Sequence, residues 1–292
     1  MIDQYIYNKN LESKPLSGLY LIATPIGNMH DITIRALELI KSVDFLYSEN
    51  PKQSSKLLNF YNLKRSLFTY NDHSNEKLRT NIINSIKQNH SIGLISDAGT
   101  PTISDPGYKL VKEAQNNDIS IYSIPGACAA ITALSCSGIP TNNFHFFGFP
   151  PRKTQQLHNY FSNLLKFSGS MIFYETANRI ENFFSVAQQF FPDCHSFIAR
   201  ELTKIHEEKL HGIVTDLSQK LSGSTTLKGE FVIIIHNNHN EKNVTFENNL
   251  DRILSSGKKY LPVKDLSKFL SEISNLNKND IYKLSIKKRD QN

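Results

Sequence analysis

Three short segments rich in glycine, proline and small side chains are the parts of this sequence best suited to hold a ligand. They are Thr24–Asn28, Ser96–Gly107 and Pro125–Ala129, and each follows an apolar run typical of a buried strand. Small residues let the backbone approach a ligand closely, so that its amide and carbonyl groups make the contacts. Tight turns that bind nothing would have a similar composition. The length of the middle segment favours a ligand site.

Several familiar catalytic and phosphate-binding motifs are missing from the sequence. No G-x-G-x-x-G follows the first apolar run, and neither G-x-x-x-x-G-K-[ST] nor G-x-S-x-G occurs. This argues against a dinucleotide-binding loop, a P-loop and a hydrolase nucleophile elbow. His206 and His211 flank two glutamates, but they are five positions apart, so they cannot ligate zinc from one helical face as i, i+4 histidines do. We expect no metal site.

The elements that must position the three segments form a repeating pattern. Apolar runs at Gly18–Thr24, Ser91–Ser96 and Ile119–Ile124 predict strands, and a helical pattern follows each of them. Asp31 is predicted to cap the first of these helices. Alternating strands and helices are typical of a parallel α/β sheet, which binds ligands beyond the carboxyl ends of its strands.

A second α/β domain and a helical tail are predicted further along the chain. Four more apolar runs read as strands of a sheet with mixed direction, at 144–149, 170–174, 196–200 and 230–235. The phenylalanines of the first run favour a sheet face and core over a base-stacking surface. After a polar linker at 236–243, three apolar stripes with helical spacing predict three short helices, the first ended by Gly257. The predicted units are therefore an α/β domain at 18–140, a second at 141–238 and a helix-turn-helix-like module at 244–292.

Composition restricts the class of protein. The 292 residues are 39% hydrophobic and 21% charged, which suits a globular protein with a substantial core. The net charge is +6, of which residues 241–292 contribute +4, and this favours anionic partners. Cys128, Cys136 and Cys194 form no CxxC pair, which suits a reducing compartment. No apolar run is long enough to span a membrane, so we expect a soluble cytoplasmic protein.

Seven blocks of the sequence, in order along the chain, match a known pattern. They are LYLIATPIGNMHDITIRALELIKSVD, SDAGTPTISDPGYKLV, PGACAAITALSCSGIPT, FFGFPPRK, FYETANRI, ARELTKIHEE and KGEFVIII. In these blocks the chain closely resembles the ribosomal RNA enzymes of the tetrapyrrole-methylase-like (class III) methyltransferases. The resemblance extends from about Gly18 to the C-terminal helices. It implies two α/β domains of the tetrapyrrole-methylase type with a cofactor cleft between them.

The resemblance also implies an activity and a set of cofactor contacts. The enzyme would transfer a methyl group from S-adenosyl-L-methionine to the ribose 2′-oxygen of a cytidine in the decoding centre of 16S ribosomal RNA. Its substrate would be that RNA or the small ribosomal subunit, and it would form a homodimer. Carried over by position, the cofactor-binding residues are Pro25, Ala98, Gly99, Thr100, Ile103, Ser104, Cys128, Ala129, Tyr174, Glu175, Gly229 and Glu230.

Methyl transfer to a hydroxyl makes two chemical demands. The oxygen must be held roughly 3–3.5 Å from the methyl carbon, and a nearby base helps to remove its proton. The candidate bases are Asp31, Glu49, Asp105 and Glu201, with Lys204 able to stabilise a developing alkoxide; a helix cap or an ion pair is the alternative role for each. The cations predicted to contact RNA are Arg35, Arg152, Lys153, Arg179, Arg200 and Lys204, each of which could instead be paired within the protein.

Two other functions remain open, and one of them rests on a departure from the family pattern. Glu-Asn-Pro-Lys at Glu49–Lys52 stands where the family commonly has Glu-Asp-Thr-Arg, so an acid and an arginine are lost. A non-catalytic RNA-binding factor is therefore one alternative. The other keeps the fold and cofactor but methylates a tetrapyrrole. The basic tail and the Pro151–Lys153 and Glu201–Lys204 blocks argue against a tetrapyrrole acceptor.

Overall fold

The computed structural model describes residues 14–222, 228–238, 250, 253–254, 256–274 and 276–287. Ten strands form two five-stranded sheets, and helices lie between the strands along the chain. The predicted α/β class is confirmed. Most of the predicted linker lies outside the described residues, as does Phe246, which belongs to the first of the three apolar stripes predicted in the tail.

The first sheet is wholly parallel. Its strand order is β3-β2-β4-β1-β5. The strands are β1 (Gly18–Ile22), β2 (Phe45–Ser48), β3 (Leu67–Thr69), β4 (Ser91–Ile95) and β5 (Ile121–Ile124). The helices between and after them are α1 (Ile34–Ser42), α2 (Pro51–Phe60), α3 (Glu76–Lys87), α4 (Tyr108–Asn116) and α5 (Ala129–Cys136). Because β4, β1 and β5 are neighbours, the three ligand-suited segments leave the sheet side by side.

The second sheet has mixed direction, as predicted. In the order β6-β7-β10-β8-β9, β6 runs parallel to β7 and every other pair is antiparallel. The strands are β6 (Phe144–Gly148), β7 (Gly169–Thr176), β8 (His195–Arg200), β9 (Glu208–Ile213) and β10 (Glu230–Asn237), with helices α6 (Thr154–Leu164), α7 (Ile180–Ala187) and α8 (Val214–Leu221). Buried phenylalanines form much of its core, among them Phe161, Phe173 and Phe183. These three rings contact one another edge-on.

The residues that cap the helices near the site differ from the prediction in one case. Asp31 does not cap α1: it lies in a short 3-10 turn, and Thr33 Oγ1 accepts the hydrogen bond from the Ala36 amide at 3.2 Å. Asn50 caps α2 through its side chain, and Pro51 follows at the first helical position. Proline is well suited to that position because its missing N–H would have no helical partner there.

The described part of the tail is helical. Helices α9 (Val263–Ile273) and α10 (Lys278–Lys287) follow helical residues that include Leu250 and Leu254, and Ile281 closes a small apolar core with them. Gly257 is itself helical rather than a stop after the helix; a Cβ there would lie 2.7 Å from Leu266 Cδ1, so glycine permits close helix packing. No helix among the described residues is long and apolar enough to cross a bilayer.

Candidate active site

A cleft lies between the carboxyl-terminal edge of the first sheet and one end of the second. It encloses about 830 Å³ including its mouth, which is within the range of small-molecule sites. Ten of the twelve residues predicted to bind the cofactor line it: Ala98, Gly99, Thr100, Ile103, Ser104, Cys128, Ala129, Tyr174, Glu175 and Glu230. The structure therefore brings together residues that are more than 130 positions apart in the sequence.

Hydrogen bonds between the three segments fix this side of the cleft. The backbones of Thr24 and Gly99 exchange two hydrogen bonds, of 2.9 and 3.0 Å. Thr24 Oγ1 donates to the Ser96 carbonyl at 3.1 Å, and Thr100 Oγ1 donates to the Ala127 carbonyl at 3.1 Å. The segments after β1, β4 and β5 thus form one connected wall.

The middle segment holds an unusual backbone. Thr102 and Ser104 have φ values of 75° and 62°, and the glycines on either side, Gly99 and Gly107, have 81° and 134°. A β-branched residue such as threonine rarely adopts positive φ, and each strained residue costs about 1–3 kcal/mol. Gly148 packs against this segment, because a Cβ on it would lie 3.0 Å from Ser104 Oγ. Strain maintained in this way is typical of functional loops.

Tyr174 connects the second sheet to the first. Its hydroxyl accepts a hydrogen bond at 3.1 Å from the Ala130 amide, in the first turn of α5. Burial raises the pKa of Tyr174 above its usual value, so the hydroxyl stays protonated. The rings of Phe146 and Phe149 pack edge-on against it, with centroids 5.0 and 5.6 Å away. Phe149 also faces the cleft.

A charged network closes the other end of the cleft. Lys204 Nζ lies 2.8 Å from Glu201 Oε1 and 3.0 Å from Glu230 Oε2. The Glu230 amide also donates to Glu201 Oε1 at 3.0 Å. Burial opposes ionisation of Glu201, but these hydrogen bonds outweigh it and hold its pKa below the usual value. The same contacts raise the pKa of Lys204, although burial acts in the opposite direction.

Two of the predicted cofactor residues, Pro25 and Gly229, do not line the cleft. Ile26, next to Pro25, faces it instead. Gly229 (φ 103°) lies directly beside the Glu201 side chain: a Cβ there would be 2.6 Å from Glu201 Cδ. Gly27 makes a similar approach, since a Cβ on it would be 2.6 Å from Lys204 Cγ. Gly27 thus brings a loop of the first sheet into contact with the second, whereas Gly229 packs against a loop of its own sheet.

The acidic candidates separate by position. Asp105, Glu201 and Lys204 line the cleft, whereas Asp31 is exposed on its 3-10 turn. Glu49 lines a neighbouring cavity together with Asp72, His73 and Asp97. Burial raises the pKa of Asp105 to about 7, and the charge of Glu49 adds to this effect.

The predicted RNA-contacting cations also separate into two groups. Arg35, Arg152 and Lys153 are exposed. Arg179 donates to the Pro150 carbonyl at 2.7 Å and pairs with Glu175 at 2.9 Å. Arg200 donates to the Lys228 carbonyl at 2.8 Å and to Glu208 at 3.0 Å. Arg179, Arg200 and Lys204 are thus committed to contacts within the protein, which was the alternative role that the sequence left open for them.

Sequence reasoning missed the apolar part of the cleft. Its members are Ile26, Phe149, Ala199, Leu202, Phe231 and Val232. Most of them belong to, or directly follow, strands whose apolar residues read as core. Only their proximity to the predicted Glu201 and Glu230 could have suggested a site wall.

The sequence is similar to a known protein family and to named relatives. The sequence profile described as "Tetrapyrrole (Corrin/Porphyrin) Methylases" matches residues 18–218. A protein of Rickettsia prowazekii (strain Madrid E) named "Ribosomal RNA small subunit methyltransferase I" is 41% identical over 222 residues, covering 76% of this chain and 79% of its own. A protein with the same name from Buchnera aphidicola subsp. Acyrthosiphon pisum is 38% identical over 275 residues, covering 93% of this chain and 97% of its own.

Solved structures share the fold at low sequence identity. Diphthine synthase is 14% identical with a TM-score of 0.57, covering 75% of this chain and 89% of its own. A uroporphyrin-III C-methyl transferase from Thermus thermophilus, crystallised in complex with S-adenyl homocysteine, is 13% identical with a TM-score of 0.50. It covers 74% of this chain and 96% of its own.

Proposed function

The chain belongs to the tetrapyrrole methylase family, and we propose that it is an S-adenosylmethionine-dependent methyltransferase acting on the RNA of the small ribosomal subunit. The observation that carries this assignment is the extent of the similarity to the Buchnera relative. The family profile ends at residue 218, but an alignment that covers 93% of the 292 residues cannot end there. It has to continue into the helical tail. The tail therefore belongs to what this chain shares with proteins named for ribosomal RNA.

The finer assignment concerns the acceptor atom. We propose the ribose 2′-oxygen of a cytidine in the decoding centre of 16S ribosomal RNA, as the sequence blocks imply. The half-buried carboxyl group of Asp105 in the cleft supports a hydroxyl acceptor, since a hydroxyl needs a base more than an electron-rich ring carbon of a tetrapyrrole does. A homodimer and the domain bounds 18–140, 141–238 and 244–292 complete this proposal.

The donor set of the cleft fits a cationic cofactor. At its charged end, the carboxylates of Glu201 and Glu230 share the single ammonium of Lys204, which leaves a net negative charge among these three described lining residues. A sulfonium with an amino-acid tail carries positive charge that this lining favours. S-adenosylmethionine supplies a methyl group bonded to a positively charged sulfur, which leaves as a neutral thioether.

The protein residues have separable tasks at this site. The small residues Ala98, Gly99 and Ala129 leave backbone groups accessible for binding. Apolar Ala199 and Val232 suit the flat face of an adenine ring and exclude water. Since in-line transfer depends mainly on holding the reacting atoms in position, the hydrogen bonds between the three loops would contribute by keeping the wall rigid.

Phosphate contacts are assigned to cations that remain available. Arg35, Arg152 and Lys153 are exposed, and the tail carries most of the net charge. Positive surface charge binds RNA through its phosphates, and this binding weakens as salt is raised.

The test is to incubate the full chain with methyl-labelled S-adenosylmethionine and either unmethylated small ribosomal subunits or a precorrin. We expect label in 16S RNA at one nucleotide whose 3′ linkage resists alkali, as a 2′-O-methyl group requires. Label in the precorrin would overturn the proposal in favour of a tetrapyrrole acceptor. Tight RNA binding with neither labelling nor cofactor binding by calorimetry would indicate a non-catalytic factor.

A further inference from the structure

We propose that Asp105 is the base that takes the proton from the acceptor hydroxyl, and that Glu49, in the neighbouring cavity that Pro106 also lines, tunes Asp105 for this task. The inference rests on the proposed function, because it concerns the acceptor of that reaction. It selects Asp105 among the candidate bases that the sequence indicated, and it gives a role to a second candidate, Glu49, which lies outside the cleft.

Position and pairing select Asp105 among the candidates. Glu201 faces the cleft but holds the ammonium of Lys204 at 2.8 Å, and a carboxylate bound to a cation is a weak base. Asp105 takes part in none of the ion pairs found among the described residues. It lies on the strained segment Ser96–Gly107 and lines the cleft together with Tyr174 and Phe149. It is therefore a cleft carboxyl group without a neutralising cation.

The groups around Asp105 favour its protonated form. Three carboxylates, those of Glu49, Asp97 and Asp72, act on it through their charge, whereas Ser96 opposes them by hydrogen bonding. Glu49 and Asp97 follow the adjacent strands β2 and β4, and the Asn50 amide holds Asp97 Oδ1 at 3.2 Å. The Tyr174 hydroxyl is the titratable group on the opposite wall that interacts with Asp105.

Burial is the largest effect, and together with these charges it raises the pKa of Asp105 to about 7. A general base works best when its pKa is close to the working pH, since much of it is then deprotonated and it is still basic enough to accept a proton. An ordinary exposed aspartate would hold a proton too weakly. Like charges behind a half-buried carboxyl group are a recurring way to achieve this tuning.

The step balances as a displacement with proton transfer. The ribose oxygen forms a bond to the methyl carbon while the carbon–sulfur bond breaks, and that bond's electron pair stays on sulfur. The hydroxyl proton passes to a carboxylate oxygen of Asp105. Release of this proton to solvent restores the carboxylate for the next turnover.

The first experiment measures single-turnover methylation of small ribosomal subunits from cells that lack the gene. At pH 7.5 we expect Asp105→Asn to slow transfer by about 100-fold or more, the usual range for loss of a general base. Its affinity for S-adenosylmethionine, measured by calorimetry, should stay within about twofold of the wild type if Asp105 handles the proton rather than the cofactor. Asp118→Asn makes the same chemical change on an exposed turn, and asparagine tolerates the φ of 54° there. This control should match the wild type.

The second variant, Glu49→Gln, tests the tuning. Because it removes a negative charge that acts on Asp105, the pH at which the rate reaches half its plateau should fall from about 7 by roughly 0.5 unit. At pH 6 the variant should then be about two- to threefold faster than the wild type. A merely structural role for Glu49 would lower the rate at every pH. The inference would be overturned if the acid side of the pH–rate profile were unchanged in Glu49→Gln, or if Asp105→Asn kept more than a tenth of the wild-type methylation rate. Either result would leave the proposed function intact. Failure of the wild type to label any small subunit would overturn both.

Discussion

Asp105 and Glu201 are carboxyl groups of the same cleft whose surroundings give them opposite properties. Around Glu201, hydrogen bonds from Lys204 and from the Glu230 amide stabilise the charge and lower its pKa. Around Asp105, burial and neighbouring carboxylates destabilise the charge and raise its pKa to about 7. The residue type alone predicts neither outcome, because both depend on groups that folding brings from other strands.

The raised pKa of Asp105 predicts a pH-dependent effect on stability. The folded protein holds this proton up to about pH 7, whereas an unfolded chain releases it near the ordinary value of 3.8. Stability therefore falls as pH rises from about 4 to 7, and Asp105→Asn removes this loss. We expect its Tm to exceed that of the wild type at pH 8, by roughly 2–4 °C for each 1 kcal/mol of this loss, and to match it near pH 4. Calorimetric melts of Asp105→Asn and Asp118→Asn would check this; an equal gain at both pH values would contradict it.

Gly27 predicts a second effect at the scale of single residues. A Cβ there would lie 2.6 Å from Thr203 Oγ1 and 2.9 Å from the Leu202 carbonyl, which is backbone and cannot turn aside. Gly27→Ala should therefore separate the two loops and weaken S-adenosylmethionine binding by about tenfold or more, since small misplacements in a site have large effects. Gly212→Ala is the matched control, because its nearest neighbour would be at an ordinary 3.5 Å. Equal cofactor affinity of the two variants by calorimetry would contradict this expectation.

At the scale of elements, the first sheet could be predicted because its central strands are buried on both faces. Every residue of β1 and β4 is buried, so each strand is a continuous apolar run followed by a turn signal. Strand β2, whose four residues alternate between half-buried and buried, was not predicted, and neither were the edge strands β3 and β9. Residues of both are largely half-buried or exposed, and β3 has only three residues, so neither produces a distinct apolar pattern.

The second wall of the cleft was harder to predict than the first. The Asn28 amide donates to Thr203 Oγ1 at 3.0 Å, a contact between residues 175 positions apart. No periodicity within a segment encodes such a pairing. The family resemblance nevertheless indicated Tyr174, Glu175 and Glu230 in this wall, whereas the apolar lining residues read as core.

The pairing of Arg179 predicts that its role is structural. Glu175 is 1% exposed, and Arg179 is the cation that pairs with it. Removing one partner of a buried pair leaves an uncompensated charge, so Arg179→Ala should destabilise the protein by about 3 kcal/mol. Lys112→Ala, at an exposed position of α4, should change stability by less than about 0.5 kcal/mol. Denaturant unfolding of both variants gives the comparison, and similar stabilities would show that Arg179 is not needed to hold Glu175.

At the scale of the whole molecule, charge is divided between the cleft and the tail. The charged side chains that line the cleft are mainly acidic, whereas residues 241–292 contribute +4 of the net +6. This division suits a cationic small molecule inside and a polyanion outside. A tail that binds RNA and a cleft that binds the cofactor should respond separately to substitution.

Neutralising the tail tests that separation. Lys259, Lys264 and Lys268 are exposed, and replacing all three with glutamine should lower the slope of log affinity for small subunits against log salt by roughly 2. Cofactor affinity should stay within about twofold, because the described cleft lining contains no tail residue. An unchanged salt slope in filter-binding titrations would assign the tail to packing instead.

The most direct test of the proposed function maps 2′-O-methylation along 16S ribosomal RNA from cells with the gene, without it, and with the Asp105→Asn variant restored. We predict loss of a single mark, on a decoding-centre cytidine, when the gene is deleted. The wild-type gene should restore this mark and the variant should not. A methylation map that is identical in all strains would contradict the account, because no ribose in this RNA would then depend on the protein.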